Sequence, residues 1–189
     1  MQKETVISGL QYGLHNHTPE NLPEVVKKYG GNCRLVMVRP RQLEKMSAEQ
    51  YCQWAAFFRE NKIYFCFHSN VRIVDGKACS TLPKELVDRL YDIAGEYFIG
   101  ASLGEMGNSY SNHVYERHGE ENAQEAKDTY IRDLQKLIAE NRRVGIRHIG
   151  VVESCAMQKY DLEAGVDECY TELFPGNPEH LLAFTRGAT

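Results

Sequence analysis

Tyr97-Phe-Ile-Gly-Ala-Ser-Leu-Gly-Glu-Met-Gly107 is the stretch on which the fold turns. Its first seven residues form a short apolar run with no polar alternation. Such a run suits a strand buried on both faces, the habit of a parallel sheet. The run breaks at Gly104-Glu105-Met106-Gly107, where two glycines flank one carboxylate.

The same unit recurs on both sides of it. Leu10 to His15, Arg34 to Arg39 and Ile63 to Phe67 read as earlier strands, and Ile146 to Val152 as a later one. Val166 to Leu173 is a weaker sixth. Amphipathic helices alternate with them. Asn21-Leu-Pro-Glu24 opens the first, and Ser47-Ala-Glu-Gln50 is a capping box for the second. Behind that box Tyr51, Trp54, Ala55 and Phe58 repeat at helical spacing, so the sole tryptophan reads as core packing. Leu86 to Ala94 marks a third helix, opened near Thr81-Leu-Pro83. Ala126 to Ile138 marks a long fourth one, and Asn177-Pro-Glu179 opens a last one carrying Leu181, Leu182 and Phe184.

Strand-helix alternation implies right-handed β-α-β units and an α/β fold with parallel strands. Two architectures follow: an open doubly wound sheet of six strands, or a (β/α)8 TIM barrel, which needs eight units and about 250 residues. The pace of the units favours the barrel. Residues 1–189 are therefore expected to form a single α/β domain, with about six units of an incomplete barrel, as an N-terminal fragment. A nucleotide-binding open sheet lacks its signal here, because Gly13 stands alone after the first strand. Open barrel edges would favour self-association.

Composition narrows the function. The chain has 189 residues, 42% hydrophobic and 25% charged, as soluble globular proteins have. A net charge of −4 argues against a nucleic-acid partner, which needs a basic surface. No run of about 18 apolar residues is present to span a membrane. The N-terminus has no apolar segment of signal-peptide type. The six cysteines form no C-x-x-C pair and several lie in apolar runs. They read as reduced core residues, which suits a reducing, cytoplasmic compartment.

Active sites of parallel α/β folds form at the C-terminal ends of the strands. His15, Asn16 and His17 follow the first strand; Arg39 and Arg41 the second; His68, Ser69 and Asn70 the third. Glu105 and Asn108 follow the fourth, Glu153 the fifth, and Glu172 stands at the end of the sixth. Glu105 with Glu153 or Glu172 would supply the carboxylate pair that glycoside hydrolysis uses. One protonates the leaving oxygen; the other attacks the anomeric carbon or activates water. These three are the candidate catalytic residues. His15, His17, Arg39, His68, Asn70, Asn108 and Tyr110 are the candidate substrate contacts. Asn108 to Gly119 is long enough to rim a site and carries His113, His118, Tyr110 and Tyr115. Tyr160 and Phe174, at later loops, are further stacking surfaces for a sugar. His148 precedes the fifth strand, away from that end, and reads as packing.

His15-Asn16-His17 admits a second chemistry. Two histidines at i and i+2 can reach one divalent metal, which generates a hydroxide nucleophile by acidifying bound water. Leu14-His-Asn-His-Thr18 resembles the opening motif of PHP-type phosphoesterases; the segment after the second strand reads Val-Arg-Pro-Arg where that family carries Thr-Asp-His. The leading reading needs no cofactor; a metal-dependent hydrolase is its alternative. A non-catalytic sugar-binding barrel or open-sheet protein is a third.

The layout as a whole resembles the first three quarters of a barrel glycoside hydrolase. In the large clan with a glutamate at the end of strand four, that residue is the acid/base, and Glu105 stands at the matching place. The resemblance implies a nucleophile at the end of a seventh strand, beyond the six units here. The family's usual Asn-Glu pair is Gly104-Glu105 in this chain. Ala183-Phe-Thr-Arg-Gly-Ala188 is similar to the helix before strand seven in uncharacterised glycosidases of gut bacteria. The implied partner is a carbohydrate or another small molecule.

Overall fold

In the computed structural model the described residues are 9–12, 24, 35–38, 46–68, 71–74, 77–80, 82–107, 122–153, 157–171, 179 and 183. The chain divides into two compact units. One comprises residues 1–70 and 81–101; the other comprises 71–80 and 102–189. Both are built as α/β structure with parallel strands, as the alternation of the sequence requires.

The first unit contains β1 (Gly9–Tyr12), β2 (Leu35–Val38) and β3 (Tyr64–His68). They pair in parallel and in sequence order, with Leu35 opposite both Gly9 and Tyr64. Helix α1 (Ala48–Glu60) starts where the capping box places it. The Ser47 hydroxyl accepts from the Gln50 amide at 3.3 Å, and the Gln50 side chain accepts from the Ser47 amide at 2.8 Å. Two donors of the first turn are thus satisfied reciprocally. Helix α2 (Lys84–Ala94) follows Pro83 and packs on α1. Arg89 of α2 and Glu49 of α1 form a surface ion pair at 3.1 Å.

The core of this unit is aromatic. Phe58 stacks on Phe65 at 4.6 Å between ring centroids, and Phe65 stacks on Phe98 at 5.0 Å. Tyr91 closes on Phe98 at 4.5 Å, and Trp54 lies 5.5 Å from Phe58. Trp54 is buried, and its role is core packing, as its helical spacing indicates. Cys52 and Cys66 are buried.

Strand β6 (Phe98–Ser102) carries the chain into the second unit. There, helix α3 (Ala123–Arg143) is capped by Asn122, whose side chain accepts from the amides of Gln124 and Glu125, both at 3.0 Å. It leads to β7 (Ile149–Glu153), helix α4 (Gln158–Ala164) and β8 (Glu168–Thr171). β7 and β8 are parallel, with Gly150 opposite Glu168 and Glu153 opposite Thr171. Leu134 and Ile149 are fully buried here.

Two elements depart from the sequence expectation. The first is an antiparallel hairpin, β4 (Val71–Val74) and β5 (Lys77–Ser80), within what reads as a strand-to-helix connection. Only Asp75 and Gly76 separate its strands, a pairing favoured in two-residue hairpin loops. The second is α4, seven residues long, where a short connection is expected. The first and last helices of the sequence reading, from Asn21 and from Asn177, lie outside the described residues apart from single helical positions at Glu24, Glu179 and Ala183. No described helix is long and apolar enough to cross a membrane.

Candidate functional site

The C-terminal ends of the parallel strands of the second unit are defined by two hydrogen bonds. The Leu103 amide donates to the Gly150 carbonyl at 2.7 Å, and the Val152 amide donates to the Gly104 carbonyl at 3.1 Å. In a regular parallel ladder Leu103, whose amide meets the Gly150 carbonyl, would itself accept from Val152. The bond from Val152 ends one residue later, so an extra residue is accommodated at 103–104.

That bulge has a local cause. Gly104 sits at φ 78°, a conformation that costs residues with a Cβ but not glycine. The buried Ser102 hydroxyl accepts from the Gly104 amide at 3.2 Å. The Gly104 carbonyl accepts a second time, from Met106 at 3.0 Å, which tightens the turn. Bulges of this kind re-aim the side chains beyond them. Here the residue beyond is Glu105, which is half-buried.

Glu105 is thus one residue past Gly104, and Glu153 is one residue past Val152, the partner of Gly104 across the ladder. These two of the three candidate catalytic residues follow directly bonded positions on adjacent backbones. Glu153 is also opposite Thr171, and Glu172 follows Thr171 in the sequence. Of Glu153 the backbone is described, and Glu172 lies outside the described residues. His68 ends β3 and is half-buried; it belongs to the first unit. His15, His17, Arg39, Asn70, Asn108 and Tyr110 lie outside the described residues, as do Phe174 and the segment 108–121.

Tyr160 is corrected from a loop position. It lies in α4, where the Lys127 ammonium stands 5.5 Å from its ring centroid. Lys127 also pairs with Glu163 at 2.9 Å. This tyrosine joins α4 to α3.

At the other end of β7 and β8 stands a polar network around His148, the residue that reads from sequence as packing. His148 Nε2 lies 2.9 Å from the Glu168 carboxylate, each side chain one-third exposed. The hydrogen bond to Glu168 raises the His148 pKa above its ordinary value, with burial opposing. Glu168 is held below the usual carboxylate range by the hydrogen bond with His148, burial opposing. Arg142 bonds Asp167, whose carboxylate also accepts from the Ile149 amide at 2.7 Å. Strand alternation puts His148, Gly150 and Val152 on one face, and the register puts Glu168 and Tyr170 on that face too. Period-2 reading of the two strands together was the signal that could have found this group.

A second polar cluster lies between α3 and α4. Asp161 is 0% exposed and Gln158 1% exposed. The Tyr130 hydroxyl donates to Asp161 Oδ1, whereas Asp161 Oδ2 and Gln158 Nε2 have no hydrogen-bond partner. Burial pushes the Asp161 carboxyl up to about 6, the Tyr130 bond opposing.

Among the described residues no group of three or more His, Cys, Asp or Glu side chains is arranged to hold a metal ion. No protein-family model and no curated protein matches this chain.

Proposed function

We propose that this chain belongs to a carbohydrate-active enzyme that hydrolyses glycosidic bonds at the C-terminal ends of its parallel strands, and that its β/α units are those of an incomplete (β/α)8 barrel. The observation that carries this reading is the Val152–Gly104 hydrogen bond at 3.1 Å, which makes Glu105 and Glu153 successors of bonded positions. Backbones paired this way run about 4.8 Å apart. Glutamate side chains extending from them can hold their carboxyls at about 5 Å, for a retaining mechanism, or at about 6.5–9.5 Å, for an inverting one.

Glu105 is the general acid in this reading. In that role it gives its proton to the departing oxygen. Glu153, or Glu172 one residue beyond β8, is the second carboxylate. It attacks the anomeric carbon or takes a proton from the attacking water. Asn108 and Tyr110, which follow Glu105 in the sequence, supply hydroxyl contacts or stacking to the sugar.

The test is turnover of an oligosaccharide library by the protein and by its Glu105→Gln and Glu153→Gln variants. Losing a positioned acid or base costs roughly 10²–10⁴-fold. Unchanged turnover in both variants would remove the basis for the proposal.

A further inference from the structure

Among the described residues of the second unit the most buried carboxylate is Asp161. Asp161 is fully buried on α4, a helix packed against α3 and β8. Its Oδ1 receives the Tyr130 hydroxyl of α3, and its Oδ2 receives no donor. One turn earlier on the same face, Gln158 is equally buried and its Nε2 is unpartnered.

Buried charges are ordinarily paired or fully hydrogen-bonded. The groups around Asp161 do not supply that. From α3 it faces Tyr130, and Lys127 one turn away is held by Glu163. From β8, the Cys169 thiol donates to the Gln158 carbonyl at 3.9 Å, and Glu168 is engaged with His148. On α4 itself, Lys159 and Glu163 are exposed.

We propose that Asp161 is a proton-operated latch: as a neutral carboxyl it holds α4 docked on α3, and on losing its proton to solvent it loosens that docking. The neutral form keeps Oδ1 as acceptor for Tyr130 and removes the cost of burying a charge with one donor. The ionised form is more favourable in water, so ionisation favours a state in which α4 has opened. Burial raising the Asp161 carboxyl to about 6 accords with this.

The direction follows from linkage. A carboxyl whose folded pKa exceeds its unfolded value stabilises the docked state most below the unfolded value, 3.8. That stability is lost as pH rises through about 6. The upward displacement corresponds to about a hundredfold change in the docking equilibrium across this window. The latch sits on the segment leaving β7, so it sets the position of the helix between Glu153 and β8. It does not depend on the reaction proposed above.

The experiment is amide hydrogen exchange of α4 in the full chain at pH 4.5 and 7.5, expressed as protection relative to the unstructured rate at each pH. Protection in α4 is expected to fall up to about a hundredfold at the higher pH. Asp161→Asn, which keeps an acceptor for Tyr130 but cannot ionise, is expected to remove that fall. An equal fall in Asp161→Asn, or no fall in the parent chain, overturns the latch. Should the variant fail to fold, the ¹³C carboxyl titration of Asp161 in the parent chain decides. A midpoint near 6 supports the proposal, and one near 4 overturns it.

Discussion

The ring of Tyr170 occupies the space that a side chain at Gly150 would fill. A Cβ built on Gly150 would lie 2.3 Å from Tyr170 Cε2 and 2.8 Å from Cζ. The tyrosine therefore leans back across the bare backbone of β7. Glycine at 150 is a requirement of this contact rather than of the backbone angle.

Gly150→Ala is accordingly expected to destabilise the second unit by about 1–3 kcal/mol, the usual cost of forcing extra volume into a packed site. Urea denaturation measures it. Adding Tyr170→Ala to Gly150→Ala should recover part of the loss, because the clash is removed. Additive losses in the double variant would contradict the packing account.

The His148–Glu168 pair makes a pH prediction of definite sign. His148 is raised, so its contribution is fully present below its unfolded value, about 6.5, and is lost as pH rises through the folded value above that. Glu168 is lowered, so its contribution is present above its unfolded value, 4.5, and is lost as pH falls through the lowered one. The pair thus supports the fold best between about 4.5 and 6.5. His148→Gln should flatten the stability loss just above that window, read from thermal midpoints at pH 6 and 8. Since both side chains are one-third exposed, screening keeps the effect small, and 1 M salt should shrink it further.

The aromatic core of the first unit predicts a larger effect. Phe58 is 0% exposed and stacks between Trp54 and Phe65. Phe58→Ala should cost about 3–5 kcal/mol, measured by denaturant unfolding of the chain. A loss under 1 kcal/mol would mean that this stack does not carry the core.

Asn122→Ala removes the acceptor for two amides at the start of α3. The expected cost is about 1 kcal/mol, with faster exchange confined to the first turn of α3. Asn122→Asp should retain the cap and favour the helix dipole.

Much of the framework was legible because its signals are local. Ser47 and Gln50 announced α1 by a reciprocal pair of bonds, and the apolar runs at 34–39, 63–67, 97–103 and 146–152 announced strands within a few residues of their bounds. The hairpin at 71–80 escaped because its strands are four residues each, and Arg72 and Lys77 break their apolar pattern. Helix α4 escaped because seven residues containing Lys159, Asp161 and Glu163 show little apolar period. Asp161 could not be identified as buried from its type, since aspartate is usually exposed.

The candidate site was legible in part for the same reason. Strand ends can be read from where apolar runs stop, which placed Glu105 and Glu153. The bulge between them was not readable, because it depends on which carbonyl Val152 meets, a tertiary choice. His148, Glu168 and Tyr170 became a group only once the register of β7 and β8 put them on one face.

The central claim is that Glu105 and Glu153 act as a pair on a glycosidic bond. The most direct test incubates the protein with a broad oligosaccharide library and detects released sugars by mass spectrometry, beside Glu105→Gln and Glu153→Gln variants shown to be folded by circular dichroism. The account predicts release by the parent protein and a loss of at least about a hundredfold in each variant. Release that survives both substitutions, or no release from any member of the library, would contradict it.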